Sequence, residues 1–211
     1  MSSVYVDKAA KPEKAGATVM GTTVDRFSFF GLSLAKVKDR MCILAYVIVQ
    51  FFAFFFVLFG TPIDMFRLRN PMDSDIIVVT TLWGLKAGVF NVEYGLSAAE
   101  QWNDCPDRLY RFRLAQAFAI ISIFVYGIAF VLGFIMLYCC SFFRWVCVTL
   151  NIVGAVTLCL VWTAMVMTYI TDEEPFCPEE KRYHTYGSGF VLIVLAWILD
   201  LLNIVSLLLP F

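Results

Sequence analysis

Four stretches of the chain run uncharged, or nearly so, for the length of a bilayer crossing: about residues 41–60, 114–138, 146–170 and 188–209. At ~1.5 Å per residue, each is long enough for the ~30 Å hydrocarbon core. Unpaired backbone polar groups are too costly in hydrocarbon, so each stretch is predicted to be a helix. The segments between them are unequal. Residues 61–113 form a long loop, 139–145 a tight turn and 171–187 a medium loop. Four crossings put the two larger loops on one side and both termini on the other. The predicted fold class is an all-α membrane protein, a four-helix transmembrane bundle forming one membrane domain over residues 41–211.

The long loop carries a different pattern. Residues 76–83, IIVVTTLW, are β-branched and aromatic, and too short to span. Lys86-Ala87-Gly88 reads as a turn, and Phe90, Val92 and Tyr94 then alternate with Asn91 and Glu93. This period of two predicts a β-hairpin outside the bilayer. A lone hairpin is marginal and needs support. KRYHTY in the second loop supplies a further strand, giving a small sheet outside the bilayer drawn from both loops, extracellular if the loops face outward. Ahead of the first span, residues 1–40 form a polar arm, predicted to be disordered over 1–25. RFSFFGLSLAKVKDR, residues 26–40, sets Phe27, Phe30 and Leu34 at helical spacing. Two readings stand for it: a helix lying in the headgroup region, or a plain basic flank.

Composition narrows the class. With 61% hydrophobic residues and a mean hydropathy of +0.79, the chain does not read as an ordinary soluble domain. A net charge of −1 offers nothing to nucleic acid. Lys and Arg number 8 on each side of the membrane, so the positive-inside rule leaves the orientation open. No cleavable signal peptide is expected; the run from Met41 would act as an uncleaved anchor. Cys42, Cys139, Cys140, Cys147 and Cys159 sit in or beside apolar runs and read as small buried hydrophobes, with palmitoylation of Cys139 and Cys140 the alternative. Cys105 and Cys177 fall in the two larger loops. They form a disulfide if those loops face an oxidising space.

Asp200 is the one acid within a span, and Gln50, Asn151 and Asn203 join it in a predicted polar layer. An ionised carboxylate at that depth is costly, so it would be protonated, hydrogen-bonded or wetted. Two readings follow: a layer that fixes helix register, or part of a proton or ion path. Elsewhere, converging catalytic groups are missing. His184 is the one histidine, and no nucleophile or second metal ligand stands at useful spacing from it. The acidic run DEEPFCPEE reads as solvated charge, with a weak cation site the alternative. No phosphate-binding or dinucleotide fingerprint appears. Neither a catalytic site, a cofactor nor a metal site is predicted, and an enzyme is not expected.

TLWGLK, which contains Thr81, Leu82, Trp83, Gly84 and Lys86, resembles the centre of the signature of the amastins, four-span surface proteins of trypanosomatid parasites with a claudin-like architecture. GTPIDMFR, AQAFAIISIFVYG, CCSFFRWVC, NIVGAVTLC and YGSGFVLIVLAWILDLLNIVSLLLP are similar to the family as well, so the likeness extends over residues 41–210. It implies a plasma-membrane protein with outward loops and cytosolic termini. The family signature opens and closes with cysteine, and here those places fall at Val79 and Val89. Cys105 and Cys177 either tie the loops together in their stead or remain free. Many members are glycoproteins, yet Asn70, Asn91 and Asn103 all fail the N-glycosylation pattern. With catalytic groups missing, the expected function is that of a non-enzymatic parasite surface protein whose outward sheet presents Trp83, Phe90 and Tyr94 to membrane lipids, to a second copy or to host membrane components. Trp83 has a second reading, in which it packs the hairpin onto the helix tops. The alternative function is a small ion, proton or lipid transporter built on the layer around Asp200.

Overall fold

A computed structural model describes residues 21–68, 78–88, 93–138, 143–172, 177 and 180–209, with the side chains of 21–39 left aside. The chain forms two units, Met1–Lys38 and Asp39–Phe211. Helix α1 runs over Gly21–Gly60, and its segment Arg40–Gly60 is long and apolar enough to cross a membrane. The same holds for α3 (Pro106–Tyr138), α4 (Phe143–Ile170) and α5 (Ser188–Leu208). Helical structure therefore begins by Gly21, within the stretch expected to be disordered. The palmitoylation candidates Cys139 and Cys140 lie outside the described residues, as do the side chains of Phe27, Phe30 and Leu34.

Residues 106–113, assigned from sequence to the long loop, are the first turns of α3. Pro106 opens that helix with its fixed φ, and Asp107 places a negative charge at its positive end. Its 33 residues measure about 50 Å, so it projects well beyond the hydrocarbon. The helices touch through small residues. Ala115, Ala119 and Ala129 on α3 are fully buried, and Gly133 meets Tyr46 and Val47 of α1. The opposite faces carry Phe124, Ile128, Val131, Leu202 and Val205, all more than half exposed, as a lipid-facing surface requires. Trp162 and Trp197 meet edge to face, with ring centroids 5.6 Å apart.

Between the helix ends lies a five-stranded antiparallel sheet. It is made of β1 (Asp64–Leu68), β2 (Val78–Thr81), β3 (Gly84–Ala87), β4 (Tyr94–Ser97) and β5 (His184–Tyr186), in the order β4-β3-β2-β1-β5. β5 comes from KRYHTY in the second loop; a short 3-10 turn, Glu180–Arg182, precedes it. The hairpin differs from its expected form. Lys86 and Ala87 are strand, and the tight turn lies at Leu82–Trp83, so residues 78–81 pair with 84–87. The cause is local. Thr81 Oγ1 donates to the Gly84 carbonyl at 2.8 Å and accepts from the backbone N–H groups of Trp83 and Gly84 at 3.1 and 3.2 Å. This hydroxyl closes the turn that composition alone assigned to Lys86–Gly88. Phe90 and Val92 lie outside the described residues.

Candidate interaction surface

The signature residues face inward. Leu82, at the tip of the β2–β3 turn, is fully buried in the core that includes Phe112, Ala115 and Met165, and Trp83 packs against the same core. Gln116 of α3 donates to the Leu82 carbonyl at 2.9 Å. The hairpin thus rests tip-down on the helix ends. Gly84 has φ +154, and a Cβ there would lie 2.2 Å from the Leu96 carbonyl oxygen of β4. No larger residue fits where two strands approach so closely. Lys86 is 6% exposed. Its Nζ donates to the Pro62 carbonyl at 3.2 Å and sits 4.4 Å from the Tyr94 ring centroid. One ammonium thereby links the end of α1 to β4.

A second junction joins GTPID to YGSG. The buried carboxylate of Asp64 accepts from Ser188 Oγ at 2.6 Å and from the Ser188 backbone N–H at 3.2 Å, and it also pairs with Arg67. Asp64 therefore caps α5 from a distant part of the chain, meeting donors that a helix start leaves open. The backbones nearly touch here: a Cβ on Gly189 would lie 2.6 Å from the Gly60 carbonyl oxygen and 2.9 Å from that of Asp64.

A third junction lies across the two loops. Cys105 and Cys177 form a disulfide, with their Cα atoms 6.1 Å apart. Beside it Arg108, 1% exposed, donates to Glu180 Oε1 at 2.7 Å and to the Cys177 carbonyl at 3.2 Å. The guanidinium carbon lies 4.9 Å from the Trp102 ring centroid. Glu180 Oε2 is 2.5 Å from His184 Nδ1. Glu180, placed by sequence in a solvated acidic run, is instead a buried counter-charge. Sequence reasoning overlooked Arg108 and Asp64 altogether. Arg108 carried one signal, as a basic residue three positions from a loop cysteine.

Strand β4 is exposed along its whole length. All four of its residues, Tyr94 to Ser97, are exposed, and it forms one edge of the sheet. Tyr94 and Leu96 are 43% and 46% exposed, and Tyr110 on the projecting turns of α3 is 67% exposed. Ser97 then caps the four-residue helix α2 (Ala98–Gln101) in a capping box with Glu100. The Ser97 N–H and hydroxyl, both donating to the Glu100 carboxylate, hold its pKa below the usual carboxylate range. At the other edge, burial beside Tyr169 raises the pKa of the Tyr186 phenol.

The polar residues of the spans also meet. Asn203 Nδ2 donates to Gln50 Oε1 at 2.7 Å. Asp200 Oδ2 accepts from the Tyr126 hydroxyl at 3.0 Å, and Asn151 Nδ2 donates to the Tyr46 hydroxyl at 3.4 Å. Tyr46 and Tyr126 were not foreseen, because a tyrosine inside an apolar run counts as one more aromatic. Among the described residues, no three of His, Cys, Asp and Glu come together as metal ligands.

The family model described as Amastin surface glycoprotein matches residues 51–207. No curated protein matches the chain.

Proposed function

The chain belongs to the amastin family of surface glycoproteins, and on that premise we propose that it is a non-enzymatic plasma-membrane protein that makes contacts through its outer sheet. The termini lie in the cytosol and both larger loops outside. Strand β4 is the contacting element, with Tyr110 beside it. The observation that carries this reading is the exposure of all four β4 residues at a sheet edge, two of them Tyr94 and Leu96. An uncovered edge offers unpaired backbone groups and apolar side chains together, which suits a second copy, a lipid surface or a host membrane component. Trp83 is left out of this surface, because it packs against the core.

The test is adhesion of proteoliposomes carrying the full chain, to one another and to host-cell membranes. Leu96→Glu and Tyr110→Glu are expected to abolish the contact while leaving the fold intact by circular dichroism. Unchanged adhesion in both variants would overturn the reading. Transport along the Asp200 layer is the second reading, favoured by the meeting of Gln50, Asn151, Asp200 and Asn203 in the bundle. Ion flux in the same proteoliposomes, lost on Asp200→Leu, would shift the function to that class.

A further inference from the structure

The intramembrane polar residues close a ring that takes in all four crossing helices. Tyr46 and Gln50 stand one turn apart on α1. Gln50 accepts from Asn203 of α5, and Asn203 stands one turn from Asp200. A Cβ on Gly154 of α4 would lie 3.5 Å from Asp200 Oδ2 and 2.8 Å from the Tyr126 ring of α3. Asn151 stands one turn before Gly154 on α4. Its amide donates to Tyr46, and the ring is complete. Gln50, Asn151, Asp200 and Asn203 are each 0–1% exposed.

Three atoms of the ring have no hydrogen-bond partner among the described residues: Gln50 Nε2, Asn151 Oδ1 and Asp200 Oδ1. A buried polar atom left unmatched costs roughly 1–3 kcal/mol, and a charged one more. The three form a complementary set, one donor and two acceptors. Water offers two donor hydrogens and two acceptor lone pairs, enough for all three, and buried waters in proteins make about three hydrogen bonds each. Gly154 lets the Tyr126 ring and Asp200 Oδ2 approach α4 closely, which draws the polar groups of four helices together. Apolar packing lies on both sides, with Met136, Cys147, Val148 and Leu207 toward the inner end and Ala53, Val57, Leu158 and Val161 toward the outer end.

We propose that this ring is an occluded binding site for internal water, held by Gln50, Asn151 and Asp200 in the middle of the bundle. Water rather than a metal cation suits it, because the Gln50 amino group is a donor. The site does not depend on the surface role assigned above.

The experiment is water-edited solid-state NMR on the full chain, isotopically labelled and reconstituted in lipid. Polarisation is expected to pass from water to the side-chain amides of Gln50 and Asn151 despite their burial. Asn151→Leu should remove the Gln50 transfer. Asp200→Asn should retain it, since the asparagine oxygen accepts the same hydrogen bond. Two results overturn the proposal. One is a wild-type spectrum without transfer to these amides, which would mean a dry hydrogen-bonded layer. The other is thermal stability that depends on sodium when it replaces choline at equal ionic strength, which would mean a cation. If Asn151→Leu fails to fold, the wild-type transfer and its retention in Asp200→Asn still decide.

Discussion

Replacing Glu180 with Gln takes one charge from a pair that has almost no water around it. The Arg108 and Glu180 side chains are 1% and 8% exposed, and their closest atoms are 2.7 Å apart. Exposed ion pairs are worth ~0–1 kcal/mol, whereas removing one partner of a buried pair costs ~3–5 kcal/mol. Gln keeps the shape and one acceptor, and the Cys177 carbonyl still receives Arg108. The expected loss is therefore near the lower end, about 3 kcal/mol. Arg108→Met should cost at least as much, because it leaves the buried carboxylate with His184 alone and removes the contact with Trp102. Combining Arg108→Met with Glu180→Gln should cost less than the sum of the two single changes, by ~1–3 kcal/mol. Equilibrium unfolding of the oxidised protein in micelles, followed by tryptophan fluorescence, measures all four corners of the cycle. Trp102 lies against the guanidinium and reports locally. Single losses below ~1 kcal/mol, or additivity within ~0.5 kcal/mol, would refute the argument, since the pair would then behave as a solvated one.

Gly189→Ala forces a Cβ to within 2.6 Å of a backbone oxygen of α1; a destabilisation of at least ~1–3 kcal/mol is expected, read as earlier thermal unfolding in micelles. Gly84→Ala should separate β3 from β4, seen as faster hydrogen exchange of the Leu96 and Ser97 amides, and unchanged exchange would contradict the close approach. The folded Glu100 carboxyl titrates below its ordinary 4.5, so its contribution to α2 is complete above that value and fades as pH falls through the lower folded value; the Ser97 amide resonance should move in that same acid window and stay still in Glu100→Gln. Digestion with an N-glycan-cleaving enzyme should leave the protein's gel mobility unchanged, since Asn70, Asn91 and Asn103 each lack a Ser or Thr two places on.

The crossings were legible because hydrocarbon permits so few structures: an uncharged run of ~20 residues has little choice but to be a helix. Outside the bilayer the choices multiply. The strand over 78–81 showed in its β-branched residues, but the turn after it did not, because one hydroxyl on Thr81 fixes it. β1 was hidden for another reason. DMFRL shows no clean alternation, since Asp64, Met65 and Phe66 are all buried, with a pairing irregularity between Asp64 and Phe66. The Arg108–Glu180 pair joins residues 72 positions apart, and no local pattern announces such a partner. The polar layer was half visible. Its amides and its acid stood out in apolar helices, whereas its two phenols did not.

The burial of the signature also bears on the proposed contact surface. Thr81, Leu82, Gly84 and Lys86 make the turn, plug the bundle, admit β4 and link it to α1, and none of the four is exposed. Residues used in this way cannot also meet a partner without undoing the seat on which the sheet rests. A family pattern at these positions therefore specifies how the sheet sits on the helices and leaves ligand choice to other residues. On the proposed reading, selectivity resides in side chains that the clasp leaves unused, such as Leu96 and Tyr110. Exchanging those two should change what the protein binds without changing its stability by more than ~0.5 kcal/mol. Exchanging the signature should do the reverse.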